Sequence, residues 1–397
     1  MKKLLLASAA TALVAGPAAA EDEVKIGILL GFTGPIESLT PHMADSAELA
    51  ISEVNESGMF LDGQTISPVR ADSTCIDNSA ATAAAERLVT SDEVVGIVGA
   101  DCSGVTMAVL QNVGVPNGVP MISPSATSPA FSDLEDDAAR WFFRTSPSDA
   151  RQGEILAQIL LDHGYETTAV SYTNNDYGQG FADSFVASFE DLGGTVTLSS
   201  PHDDGEADYS SEVGALASAG GEILTVLGYA DEGGAGIIQT AWESGAFDVF
   251  AMGDGMFSRG LFELTDNRLE GTIGTVPGAE GDGPELFLEL TEAADVMGDS
   301  SFTGESYDAA ALMMLAMQAG GEATHDAIAD NVMSIATAPG EEILPGELAR
   351  GLEILADGGE IHYTGATNVD FIEPGEAAGV YREYRVEDGE FVTLNFR

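Results

Sequence analysis

Short apolar runs alternate with segments of helical period along most of this chain, and that alternation restricts its fold more than any other feature. Val24–Leu30 precedes a helical pattern at Ala44–Asn55, Ile66–Ala71 precedes Ala80–Thr90, and Val94–Val98 precedes Val105–Val113. A further run, Pro120–Ile122, ends in the Ser/Pro-rich stretch Ser123–Asp133 and the aromatic segment Trp141-Phe142-Phe143. The pattern then restarts. Helix Gln152–His163 leads to strand Thr168–Tyr172, Gly180–Leu192 to Thr195–Ser199, Tyr209–Ala219 to Ile223–Leu227, and Ala235–Ser244 to Val249–Met252. Strands this apolar, each separated by a helix, require parallel sheets covered on both faces. There are too many units for one sheet of ordinary width, which predicts two doubly wound α/β lobes. The last third departs from the pattern. Leu286–Val296 and Tyr307–Ala319 read as helices, while Gly379–Phe396 alternates like an antiparallel hairpin turning at Glu387-Asp388-Gly389. Such a tail returns the chain to a lobe it has already left.

Charge narrows the partners. With 14 Lys+Arg against 66 Asp+Glu, the formal net charge is −52, which disfavours nucleic acid and anionic membranes. The acids run from Glu21 to Glu390 without one long block, the pattern of a solvated surface suited to a salty habitat rather than of a cation site. The densest group, Asp203-Asp204-Gly205-Glu206 with Asp208, lacks calcium-loop spacing and reads as a polar loop. Lys2 and Lys3, the apolar run Leu4–Val14 and Ala18-Ala19-Ala20 read as a secretory signal cut after Ala20. The run is shorter than the ~20 residues that span a bilayer, so a periplasmic location is expected. Two cysteines, Cys75 and Cys102, point in that compartment to one disulfide. Two free thiols or a two-cysteine metal site are the alternatives, the latter without a nearby histidine.

Open α/β sheets bind ligands in the loops at their strands' carboxyl ends. Here those loops are Gly99-Ala100-Asp101-Cys102-Ser103-Gly104 and Ser123-Pro124-Ser125-Ala126-Thr127-Ser128-Pro129 in the first half. The second half has Asn174-Asn175-Asp176-Tyr177-Gly178, Gly228-Tyr229-Ala230-Asp231 and Gly253-Asp254-Gly255. The first set offers hydroxyls and backbone N–H groups at helix starts, which suit an anion. The second offers tyrosines and a carboxylate, which suit a cation. A zwitterion would bridge them, although each Ser, Thr or Asp taken singly also fits a helix cap.

In order, Lys25-Ile26-Gly27-Ile28-Leu29 with Thr33-Gly34-Pro35, Cys102-Ser103-Gly104, the Ser123–Pro129 loop, Phe143-Arg144-Thr145-Ser146-Pro147-Ser148-Asp149, Asp176-Tyr177-Gly178-Gln179-Gly180 and Tyr307-Asp308-Ala309 cover nearly the whole chain. As an ordered set they resemble the leucine/isoleucine/valine-binding protein family, the type I periplasmic substrate-binding proteins of ABC importers. The resemblance implies two lobes joined by a three-crossover hinge, with the ligand in the interlobe cleft. Lobe one would comprise residues 24–144 plus 276–373, and lobe two residues 146–275 plus 379–397. By position it implies that Ser103, Ser125 and Thr127 hold an α-carboxylate, that Tyr177 and Tyr229 close over the ligand, and that Asp254 takes the ammonium. It also implies a Cys75–Cys102 disulfide beside Ser103. Branched-chain binders carry Glu where this chain has Asp254 and Trp where it has Leu39, so the side-chain specificity is not carried over.

The implied function is capture of an amino acid, or of an amide or organic or aromatic acid, by a monomer that delivers it to an inner-membrane ABC permease. A sensing module without transport uses the same fold. No catalytic, metal or cofactor motif appears in the sequence, which leaves an enzyme such as a carboxylate-pair hydrolase without positive support. The five histidines, His42, His163, His202, His325 and His362, are dispersed and read as solvent-exposed.

Overall fold

The structure, a computed structural model, describes residues 23–397; the leader assigned to residues 1–20 lies outside the described residues. Nearly every apolar run becomes a strand followed by its helix. β1 (Glu23–Leu30), β2 (Thr65–Asp72), β3 (Ile97–Gly99), β4 (Met121–Ser123) and β5 (Phe142–Arg144) pair in parallel in a first sheet. β6 (Thr167–Thr173), β7 (Thr195–His202), β8 (Ile223–Leu227), β9 (Phe250–Met252) and β10 (Ile273–Pro277) do the same in a second. The central strands β3, β4, β8 and β9 are buried along their whole length, as strands covered on both faces must be.

The remainder of the chain visits both lobes. β11 (Glu341–Ile343) and β12 (Ile361–Tyr363) form a small parallel pair. β13 (Phe371–Ile372) and β14 (Glu376–Ala377) then extend the first sheet beyond β5, while β15 (Tyr381–Glu387) and β16 (Glu390–Phe396) add the expected hairpin to β10. The resulting orders are β13-β14-β5-β4-β3-β1-β2 and β16-β15-β10-β9-β8-β6-β7. The chain crosses between the lobes after β5, after β10 and between β14 and β15. Two expected boundaries move. The one at residues 275/276 falls inside β10, so Val276 and Pro277 belong to the second sheet; and β14 carries the first sheet past residue 373.

Helix Thr303–Gly320 is buried over almost its full length, as a helix apolar on every side has to be. It packs on helix Thr40–Ser57 in lobe one. Its Asp308 accepts from Tyr363 Oη at 2.6 Å and from the backbone N–H groups of Ala366 and Thr367 at 2.7 and 2.9 Å, tying the C-terminal segment to the core. The histidine expectation fails. None of the five is fully exposed, and His202 is buried because β7 runs three residues further than its apolar pattern and ends on it. Its Nδ1 lies 2.9 Å from Ser171 Oγ, and burial pulls the imidazole down to about 4, so it is neutral.

Cys75 and Cys102 form a disulfide across a sequence separation of 27, joining the loops that follow β2 and β3. On the loop-entropy model this link contributes about 3–4 kcal/mol. Denaturant unfolding of the Cys75→Ser/Cys102→Ser double variant should show a loss of that order. A loss under about 1 kcal/mol would mean that the loops are held without it.

Candidate functional site: the interlobe cleft

Both sheets reverse their strand order at one point, between β1 and β3 and between β6 and β8. Loops leaving the strand ends there build the two walls of a cleft. The lobes meet across it: Ser38 N–H donates to Asp231 Oδ2 at 2.8 Å, Ser38 Oγ lies 2.9 Å from Ser258 Oγ, and Asp231 N–H donates to the Pro35 carbonyl at 3.2 Å. Between them is a tight cavity of about 20 Å³.

Five of the six expected ligand residues line this cavity: Ser103, Ser125, Tyr177, Tyr229 and Asp254. Ser103 opens the helix that follows β3, and its Oγ accepts the Ser128 N–H at 3.1 Å, which leaves the hydroxyl proton free to donate. Ser125 is half-buried beside it. Thr127 is buried but is not on the cavity wall; its carbonyl accepts the Asp149 N–H at 2.8 Å, and its Oγ1 has no partner among the described residues. The loop 124–128 is held from behind by Arg144, whose Nη1 donates to the Ala126 and Ser128 carbonyls at 2.9 Å each.

On the other wall, Asn175 caps helix Asp176–Asp191. Its side chain accepts the N–H of Tyr177 at 3.1 Å and of Gly178 at 3.0 Å, which sets the Tyr177 backbone. Tyr177 stacks on Tyr229 with ring centroids 5.2 Å apart, and its hydroxyl donates to Asp254 Oδ1 at 2.7 Å. Gly255 allows that approach, since a Cβ there would sit 2.6 Å from the Gly228 carbonyl oxygen and 3.0 Å from Tyr177 Oη. Burial raises Asp254 to about 6 against the bond from Tyr177, and burial together with the Asp254 charge pushes the Tyr177 phenol far up, so it remains a neutral donor.

Apart from Leu39, which the resemblance already placed against the ligand side chain, the other apolar cavity residues escaped the sequence reading. Ile36, Leu39, Met43 and Phe302 form an apolar side, drawn from loops and helix starts where no periodicity marks them. Asp101 is fully buried and already satisfied by Gly31 N–H at 2.5 Å and Ser73 Oγ at 2.7 Å. Asp149 lies fully buried close to Asp254, and desolvation and that neighbour hold its carboxyl well above the ordinary range. In sequence it looks like a first-turn helix acid and nothing more. The charged groups on the cavity wall are the carboxylates Asp101 and Asp254, with no lysine or arginine among them. The pocket thus offers hydroxyls on one wall, a carboxylate under an aromatic pair on the other, and an apolar side between.

Comparison with known proteins agrees with this architecture. The model of the family described as periplasmic binding protein matches residues 23–348. Leu/Ile/Val-binding protein homolog 1 of Brucella suis is 31% identical over 310 residues, 77% of this chain and 80% of its own. The chemotactic signal transduction system substrate-binding protein BasB of Halobacterium salinarum is 28% identical over 388 residues, 93% of this chain and 88% of its own. The solved structure of a leucine binding protein, LivK, from Thermotoga maritima superposes with a TM-score of 0.79 at 21% identity, covering 94% of this chain and 98% of the other. No helix among the described residues is long and apolar enough to cross a membrane. The chain belongs to the leucine/isoleucine/valine-binding protein family of periplasmic binding proteins.

Proposed function

We propose that this protein captures a small amino acid with an apolar side chain between its lobes and presents it, lobes closed, to an inner-membrane ABC permease. The observation that carries the ligand class is the buried Asp254, held by Tyr177 in a cavity whose other wall presents Ser103 and Ser125. A carboxylate in that position favours an ammonium group, because a buried charge is tolerated only when an opposite charge and hydrogen bonds replace its water. Ser103 and Ser125, with the backbone of their loop, would take the ligand carboxylate, and Ile36, Leu39, Met43 and Phe302 its side chain. Thr127, one layer back, would support the loop and reach the ligand through a small shift or a water. A simple organic acid finds no cation on the cavity wall to balance it, which ranks that reading second. The similarity to BasB, a substrate-binding protein of chemotactic signalling, supports a sensory role for the same capture step.

The test is calorimetric titration of ligand-stripped protein with leucine, isoleucine, valine and benzoate from pH 8 to pH 4.5. An ammonium ligand needs Asp254 ionised, and in the free protein that group titrates at about 6. Below that point each binding event must expel a proton, so amino-acid affinity should fall by up to about tenfold per pH unit. The stability of the ligand-free protein runs the other way. A carboxyl raised above its unfolded value stabilises the fold fully below that value, and the contribution disappears as pH rises through about 6. Affinity for an amino acid that is flat between pH 7 and 5 would remove Asp254 from the ammonium site. Binding of benzoate alone would overturn the amino-acid reading.

A further inference from the structure

In a chain with 66 acidic residues, an arginine without a carboxylate partner is conspicuous. Every other arginine of the described residues lies within 4.0 Å of one. Arg382, on β15, has none within that distance, and its Nε–H, buried from solvent, has no acceptor among the described residues. Asp299 and Glu305 act on it from beyond ion-pair range, and Asp299 is already engaged by Arg259 at 2.5 Å. Burial works against its charge and pulls it below its ordinary value. A half-buried cation left this way is costly unless an anion completes it.

The surroundings fit such an anion. Arg382 lines a second interlobe cavity, of about 410 Å³, whose wall includes Leu39, the same residue that closes the apolar side of the ligand cavity. Its guanidinium carbon sits 4.5 Å from the centroid of Phe257, which packs on Phe391 at 4.2 Å. Stacking engages the face of the guanidinium and leaves its edge, with the N–H fork that matches a carboxylate, free. Lobe one contributes Ser38 and His42, and the wall also carries Arg259 with its partner Asp299. Glu390, at the exposed end of the hairpin, also borders it.

We infer that this cavity is a second anion subsite that receives a terminal carboxylate of the solute held at Asp254, reached past Leu39. This inference rests on the interlobe cleft being the ligand site. It narrows the favoured solutes to those carrying a second carboxylate at the far end of an apolar body. Because Arg382 comes from lobe two and Ser38 and His42 from lobe one, an occupant of this subsite also bridges the lobes and favours closure.

The experiment compares matched probes by calorimetry: 2-aminohexanoate against 2-aminoadipate and 2-aminopimelate, each with wild-type protein and with Arg382→Met, which keeps the stem packed on Phe257. The diacids should bind wild-type protein at least about tenfold more tightly than 2-aminohexanoate, the scale of one charged hydrogen-bonded contact. Arg382→Met should erase that advantage while changing 2-aminohexanoate by less than about twofold. Diacids no tighter than 2-aminohexanoate, or an equal loss of all three in the variant, would overturn the subsite while leaving the cleft assignment intact. An adipate competition arm separates the sources of the anion: adipate that enhances binding of 2-aminohexanoate, with no advantage for the diacids, would mean a separately bound anion and overturn the link to the solute. Failure of all three probes, with leucine, isoleucine and valine also silent, would overturn both readings together.

Discussion

Asp254→Asn should weaken amino-acid capture by about two to three and a half orders of magnitude, because breaking a buried ion pair from one side costs about 3–5 kcal/mol. The substitution keeps the side-chain volume and still offers Tyr177 Oη, which stands 2.7 Å from Oδ1 in the native protein, an oxygen to donate to. What it removes is the charge that would replace the water of a ligand ammonium. Asp149 sharpens the expectation. Burial and the neighbouring Asp254 hold its carboxyl well above the ordinary range, which disfavours its charge and makes it a poor substitute. The variant should fold normally and gain stability near neutral pH, because a carboxyl strained by burial has become a neutral amide. Calorimetry with the tightest-binding amino acid decides the matter. A loss under about tenfold, or an equal loss for a carboxylic acid lacking the amino group, would show that the ammonium sits elsewhere.

The second large effect concerns a residue that never touches the cavity. Arg144 is completely buried at the end of β5 and pairs with Glu376 of β14, donating from Nε to Oε2 at 3.0 Å and from Nη2 to the same carboxylate. It also donates to Ser132 Oγ at 3.0 Å and to the two loop carbonyls already described. Glu376→Gln would leave this guanidinium buried without a counter-charge, at a cost of about 3–5 kcal/mol. For a chain of this length that corresponds to a fall in melting temperature of about 4–6 °C. Ligand affinity should fall as well, since the same guanidinium holds the loop that carries Ser125. A melting temperature within about 1 °C of the native value would mean that the pair carries little of the lobe's stability.

The repeating units of both sheets were legible in the sequence because each strand is a continuous apolar run bounded by a helical pattern. Where that signal lapsed, the reading lapsed too. β10 is Ile273-Gly274-Thr275-Val276-Pro277, with glycine and proline inside it, and only its pairing with β9 and β15 makes it a strand. β13 and β14 are two residues each and exist only through their pairing at the end of the first sheet. β5 lay in a segment noticed for its aromatics rather than its pairing. At the site, the residues attached to strand-end loops could be named in advance, since the topology sends those loops to the cleft. Thr127 stands behind the cavity wall, its carbonyl accepting the Asp149 N–H. Arg382 was invisible for a different reason. An arginine on an alternating strand looks like any solvated residue, and only the positions of the acids around it show that it has no partner.

The threading of the chain through both lobes bears on how the molecule can assemble. Neither sheet is finished by a contiguous stretch of polypeptide: the first waits for β13 and β14, and the second for β15 and β16, which end at Phe396. As residues emerge in order, Arg144 is presented more than two hundred positions before Glu376, and β10 before the hairpin that covers its edge. Local strand–helix units can form early, but both lobes reach completion almost together, at the last tenth of the chain. Contacts so distant in sequence are expected to close slowly. Were the chain exported before folding, as the leader read at residues 1–20 implies, such a delay would leave no finished domain to unravel.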